Sequence, residues 1–175
     1  KTEHDTMLSK RLIPSLSRLS RCTNFTASPA ACLSSLQHAK IPHHHSYSTK
    51  IECINSTKAP KAVGPYSQAV KAGGQIWVSG CLGLIPESGE FPSEDISEQT
   101  RQALSNLVNV LEESNSSLER VVKTTVLLED INDFKKVNEV YSEYFSTHKP
   151  ARACYAVKDL PKGAKVEIEA IAIEG

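Results

Sequence analysis

Nowhere in the 175 residues does an apolar run approach the ~18 residues of a membrane-spanning helix, so a helical span is excluded and no membrane partner is expected. Cysteine is sparse and poorly spaced for metal: the five, at 22, 32, 53, 81 and 154, contain no Cys-x-x-Cys pair. Zinc-finger readings fall away, and the three thiols of the later chain fit a reduced, intracellular compartment. His43-His44-His45 does not fill the gap, because three adjacent side chains cannot converge on one ion without unusual backbone geometry; no metal is expected. A P-loop, a Gly-x-Ser-x-Gly elbow and a His-Glu-x-x-His pair are all missing. Gly80-Cys-Leu-Gly83 is too short for a dinucleotide fingerprint and runs into a Pro-containing loop instead of a helix.

Net charge is lacking too, with 20 basic and 20 acidic residues, but the balance hides an asymmetry. Met7 to Lys50 carries six basic residues and no acid, whereas Ile51 to Gly175 carries 13 basic and 18 acidic residues, a net of −5. An acidic body without a basic, aromatic-lined groove is a poor nucleic-acid binder.

The opening segment is rich in Ser and Arg, and Leu8, Leu12, Leu16 and Leu19 fall at helical spacing among Lys10, Arg11, Arg18 and Arg21. This composition predicts a transit peptide of the mitochondrial kind over residues 7–50, and hence a matrix location. A disordered Ser-rich tail is the other reading. Pro14 and the serines break any apolar stretch long enough for a secretory signal. Lys1–Thr6 precede Met7 and are read as read-through or cloning-derived residues.

From residue 51 to 175 the pattern is one α+β domain. Strands are expected at Ile51–Asn55, Ser67–Lys71, Gln75–Gly80, Val121–Leu128, Ala153–Val157 and Lys165–Ile173, with Gly73-Gly74 as a hairpin turn. Asp95-x-x-Glu98 reads as a capping box before a helix whose stripe is Ile96, Thr100, Ala103, Leu104, Leu107, Val108 and Leu111. A second helix carries Phe134, Val137, Tyr141, Tyr144 and Phe145 at helical spacing. Five or six strands with two helices on one face follow.

Strand alternation then assigns faces. Val166, Ile168, Ala170 and Ala172, with Val122, Thr124, Val126 and Leu128, suit the helices. The other face mixes Trp77, Ile171 and Ile173 with Ser79, Glu167, Glu169 and, by this reading, Arg152. A solvated face would rarely spend Trp and Ile this way, so another subunit should cover it, with the charged residues lining a cleft at the join. Arg152 offers a planar fork for a carboxylate, and Glu167 a base that orients water, with hydroxyls from Tyr66 and Ser79 nearby. Alternatively, Arg152 and Glu167 simply pair with each other across strands. His148 is expected to be exposed, and Cys154 to be a packed thiol without a His partner.

Gly64-Pro-Tyr-Ser-Gln-Ala69, Val78-Ser-Gly80, Val121-Val-Lys-Thr-Thr-Val126, Val137-Asn138 before Tyr141, Pro150-Ala-Arg-Ala-Cys154, Leu160-Pro-Lys-Gly163 and Val166-Glu-Ile-Glu-Ala-Ile171 follow in order. Together they resemble the RidA family of YjgF-type reactive-intermediate deaminases over about residues 51–175. The resemblance implies a chorismate-mutase-like α+β fold and a homotrimer with three clefts between subunits. It implies hydrolysis, without a cofactor, of 2-imino or enamino acids to 2-oxo acids and ammonia, protecting the pyridoxal-phosphate enzymes that release these intermediates. By position, Arg152 would clamp the carboxylate, Glu167 would place the water and Tyr66 and Ser79 would touch the substrate. Gly80 and Cys154 would offer backbone groups, and Asn138 would support the site. Family relatives lacking the Arg act differently, so Arg152 favours an enzyme over a non-catalytic or chaperone-like trimer; RNA cleavage, also ascribed to the family, sits badly with the acidic body. Cys81 and Lys149 depart from common family residues beside the expected cleft and bear on side-chain preference.

Overall fold

The computed structural model describes residues 50–175. Residues 1–49, and with them the targeting segment up to Ser48-Thr49 and the His43–His45 run, lie outside the described residues. In chain order the elements are β1 (Glu52–Ile54), β2 (Ala69–Ala72), β3 (Gln75–Leu82), α1 (Ile96–Glu113), β4 (Val121–Leu128), α2 (Phe134–Tyr144), β5 (Ala151–Ala156) and β6 (Val166–Ile173). They build one six-stranded sheet in the order β1-β2-β3-β6-β4-β5. All neighbours are antiparallel except β4 and β5, which run parallel because α2 carries the chain back between them. This is the α+β architecture expected.

Local chemistry sets the elements. Gly73 and Gly74 both have positive φ, 59° and 77°, as a two-residue hairpin turn of the mirror-image type requires. Asp95 caps α1, its carboxylate accepting from the backbone N–H groups of Ser97 and Glu98. The reciprocal half of the expected capping box is replaced: the Glu98 carboxylate accepts from the Ser93 hydroxyl, and the Ser93 oxygen accepts from the Asp95 N–H. On α1 the buried stripe includes Val110, with Val108 only half-buried, because Val108 lies one step of ~100° past Leu107 toward the rim.

Leu104, Leu107 and Leu111 of α1 and Val137 and Tyr141 of α2 pack on Val166, Ile168, Ala170 and Ala172 of β6 and Thr124, Val126 and Leu128 of β4. Full burial of each large aliphatic side chain contributes ~1.5–3 kcal/mol. Two bulges alter the predicted faces. Val121 pairs with Ala172 but Lys123 with Ile171, so β4 carries one extra residue. Val121 is therefore the fully buried residue, and Val122, expected to face the helices, is 42% exposed. Likewise Val78 pairs with Ala170 but Cys81 with Ile168, so Ser79-Gly80 form a bulge and Cys81 turns toward the helix side.

The face away from the helices is covered at one end by its own chain. There Leu82, Leu84, Leu160 and Ala164 form a second cluster with Phe91, Leu127 and Val157. At the other end Trp77, paired with Ile171, and Ile173 stand about half exposed. Among the described residues no helix is long and apolar enough to cross a membrane. His148, expected to be exposed, is half-buried because its Nε2 donates to the Val121 carbonyl at 2.6 Å.

Candidate active site

The bulge in β3 and the turn before β2 build one group of residues. Ser79 is tied down twice: its Oγ donates to the Ser67 carbonyl at 2.7 Å and its N–H to the Gln68 carbonyl at 3.0 Å. Gly80 follows, and a Cβ built there would fall 1.6 Å from Oε1 of Glu167. Any larger residue here would displace the Glu167 carboxylate, which occupies the space, whereas the backbone itself adopts no unusual φ. Tyr66 lies across its own turn, with its N–H donating to the Gly64 carbonyl and its hydroxyl accepting from the Val63 N–H at 3.3 Å. Behind the turn the buried Gln68 amide accepts from the Ser56 N–H and donates to the Ser56 and Pro60 carbonyls. Asn106 of α1 pins the end of β3 by donating to the Leu82 and Leu84 carbonyls. A cleft opens among Tyr66, Ser79, Gly80, Cys81 and Lys61, and Arg152 is not among the residues that line it.

Glu167 is half-buried and makes no ion pair within the described chain. Burial, and secondarily the Glu169 carboxylate, push its pKa up. It can therefore take and return a proton more readily than an ordinary surface carboxylate. Cys81 is pushed up to about 12 by burial and by Glu167, so its thiol stays protonated.

The second group lies on α2 and β5, and here the face assigned from sequence is corrected. Arg152 is the register partner of Thr124, which is fully buried under α2, so Arg152 emerges on the helix side of the sheet. Its guanidinium carbon stands 4.7 Å from the Tyr141 ring centroid and 5.8 Å from that of Phe134. Glu167 pairs with Leu127, three residues along β4 from Thr124, and so points to the opposite face. Strand alternation could not reveal this, because β5 is an exposed edge strand whose two faces carry no hydrophobic contrast. Arg152 pairs with neither Glu167 nor any other carboxylate among the described residues, which removes the cross-strand pairing alternative within one chain.

Asn138 sits on the α2 stripe between Phe134 and Tyr141, at i, i+4 and i+7 spacing, and is half-buried. Cys154 is half-buried with its thiol raised by burial and packs against the main core. Lys149 is exposed at the entry to β5. Among the described residues no cluster of three His, Cys, Asp or Glu could hold a metal ion. Sequence reasoning missed Phe134 and Tyr141 as neighbours of Arg152; their helical spacing was legible but read only as core.

Residues 56–174 match the family model described as endoribonuclease L-PSP. The human 2-iminobutanoate/2-iminopropanoate deaminase is 51% identical over 122 residues, covering 70% of this chain and 89% of the human one. The chloroplastic Reactive Intermediate Deaminase A of Arabidopsis thaliana is 51% identical over 125 residues, covering 71% of this chain and 67% of its own. Among solved structures, E. coli TdcF with bound serine superposes with a TM-score of 0.67 at 38% identity, covering 71% of this chain and 99% of that one.

Proposed function

Because the chain belongs to the RidA family, matched as endoribonuclease L-PSP, we propose that it hydrolyses short 2-imino acids, or their enamine tautomers, to 2-oxo acids and ammonia. The observation that carries this reading is Arg152: a guanidinium seated on ring faces, with no carboxylate paired to it among the described residues. The N–H edge of a guanidinium suits a substrate carboxylate bidentately. The names of the human and plant relatives fit, and so does the bound serine of TdcF, which carries a carboxylate beside a nitrogen-bearing carbon.

The active unit is a homotrimer in which Arg152, Asn138 and the Cys154 backbone of one subunit face Tyr66, Ser79, Gly80 and Glu167 of the next. Two features support a shared site. Arg152 and Glu167 diverge across the sheet, and Arg152 does not line the cleft beside Tyr66, Ser79 and Gly80. Trp77 and Ile173 leave apolar surface on the bare end of the sheet for the contact.

The chemistry then balances simply. Arg152 fixes the carboxylate, and Glu167 takes a proton from water as the water oxygen bonds to C2 of the imine. The C=N π pair moves to nitrogen, which takes that proton from Glu167 to give the carbinolamine. Glu167 then takes the carbinol O–H proton and passes it to nitrogen as C=O forms and the C–N bond breaks, releasing ammonia. An imine is already electrophilic, so positioning matters more than a strong nucleophile. No cofactor takes part. Residues 7–50 would direct the protein to the mitochondrial matrix, leaving residues 51–175 as the catalytic domain. The excess of acid in that domain, 18 residues against 13 basic, disfavours RNA as the substrate.

The direct test couples the protein to a threonine dehydratase that releases 2-iminobutanoate in the presence of semicarbazide. Active protein lowers semicarbazone formation; unchanged semicarbazone at stoichiometric protein rejects the reading.

A further inference from the structure

An arginine on an exposed edge strand has many rotamers, and a carboxylate clamp works only if few of them are populated. The usual way to hold a guanidinium is a carboxylate partner, which consumes the same in-plane N–H donors that a substrate needs. Here the protein uses another device. The Arg152 guanidinium lies 4.7 Å from the ring centroid of Tyr141 and 5.8 Å from that of Phe134. A ring attracts the cation through its face and leaves the donors at the guanidinium edge unspent.

The main platform is itself fixed. The Tyr141 hydroxyl hydrogen-bonds Thr124 Oγ1 at 2.7 Å, and Thr124 is both fully buried and the register partner of Arg152. On its other side Tyr141 stacks on Phe145 with centroids 4.5 Å apart. The chain thus closes a loop from Arg152 through its strand neighbour to the ring that holds its side chain. Phe134, one helical stripe along α2, is 39% exposed, a large apolar side chain left half-open beside the guanidinium.

We infer that Tyr141 and Phe134 are positioning residues whose ring faces hold the Arg152 guanidinium flat and keep its N–H edge open for the substrate carboxylate. The inference rests on the imine-deaminase reading above. It assigns the rings a role in recognising the acid group, distinct from packing and from the bond-making steps.

The test uses the full chain and two probes, 2-oxobutanoate and its neutral amide, titrated calorimetrically into wild type, Tyr141→Leu, Tyr141→Phe and Phe134→Leu. Wild type is expected to prefer the acid. Phe134→Leu and Tyr141→Leu should weaken binding of the acid about three- to tenfold, with amide binding unchanged and with KM for the imine rising more than kcat falls. Tyr141→Phe keeps the ring face and should stay within about threefold of wild type. Should Tyr141→Leu fail to fold, Phe134→Leu decides alone, since that side chain is partly exposed and its loss leaves the core intact. Acid binding as tight as wild type in the folded Leu variants overturns the inference, and so does an equal loss of acid and amide. A wild type that hydrolyses no imine and shows no preference for the acid overturns the underlying reading and this inference with it.

Discussion

Arg152 and Glu167 leave the same sheet from opposite faces. Arg152 stands beside Thr124 under α2, while Glu167 stands beside Leu127 on the other side. The two groups best suited to bind an acid and to move a proton therefore cannot act on one small molecule within one chain. They can do so where the Arg152 side of one subunit meets the Glu167 side of another.

Gly80 should prove intolerant for a reason that lies in Glu167. A methyl group at position 80 would need the space now held by the carboxylate, 1.6 Å from Oε1. The obstacle is the far end of a side chain, so Gly80→Ala should fold, with melting temperature within a few degrees of wild type. Turnover should fall roughly tenfold or more, as expected when a proton-transfer group is displaced. Thermal melts and the semicarbazone assay, run side by side, check both halves.

Glu167 also sets a pH dependence of stability. Its pKa is raised by burial and by Glu169, so the folded chain keeps this proton where the unfolded chain has released it. Stability should therefore fall as pH rises from the ordinary carboxylate value of ~4.3 through the raised one, and level off above it. Glu167→Gln should remove that slope, and Glu169→Gln should shorten it. Urea melts at several pH values measure it. The acid limb of kcat/KM should move to lower pH in Glu169→Gln for the same reason.

The turn bearing Tyr66 depends on a buried amide. Gln68 bonds the Ser56 N–H and the Ser56 and Pro60 carbonyls, and Gln68→Leu would leave these groups unsatisfied. A loss of about 2–4 kcal/mol is expected, read from the denaturant midpoint.

Trp77 tests the assembly. It is 50% exposed beside Ile171 on the bare end of the sheet. Trp77→Asp should yield a smaller particle by light scattering, with native circular dichroism and little imine hydrolysis. A trimer of unchanged stability would place the contact elsewhere.

Much of this was legible in the sequence. Val121–Leu128, the Gly73-Gly74 turn and the α1 stripe follow from period and turn chemistry alone. The bulges were not, since one extra residue at Val121–Lys123 or at Ser79-Gly80 flips the side chains on one side of it relative to the other without changing composition, turning Val122 outward and Cys81 toward the helices. Arg152 was singled out by its chemistry but placed on the wrong face, because a parallel edge strand such as Ala151–Ala156 shows no inside and outside in its residues. Asn138 came only from the family resemblance. Its place between Phe134 and Tyr141 needed the helix to be set against β5.

The central claim is that Arg152 of one subunit and Glu167 of another serve one substrate, and mixing two crippled chains tests it most directly. Arg152→Ala and Glu167→Gln proteins, each assayed alone, should leave semicarbazone formation nearly undiminished. In the proposed trimer, random co-refolding at equal ratio would give about one interface in four that carries both native groups. Recovery of about a quarter of wild-type imine hydrolysis is the predicted result; a mixture no more active than its separate parts would contradict the account.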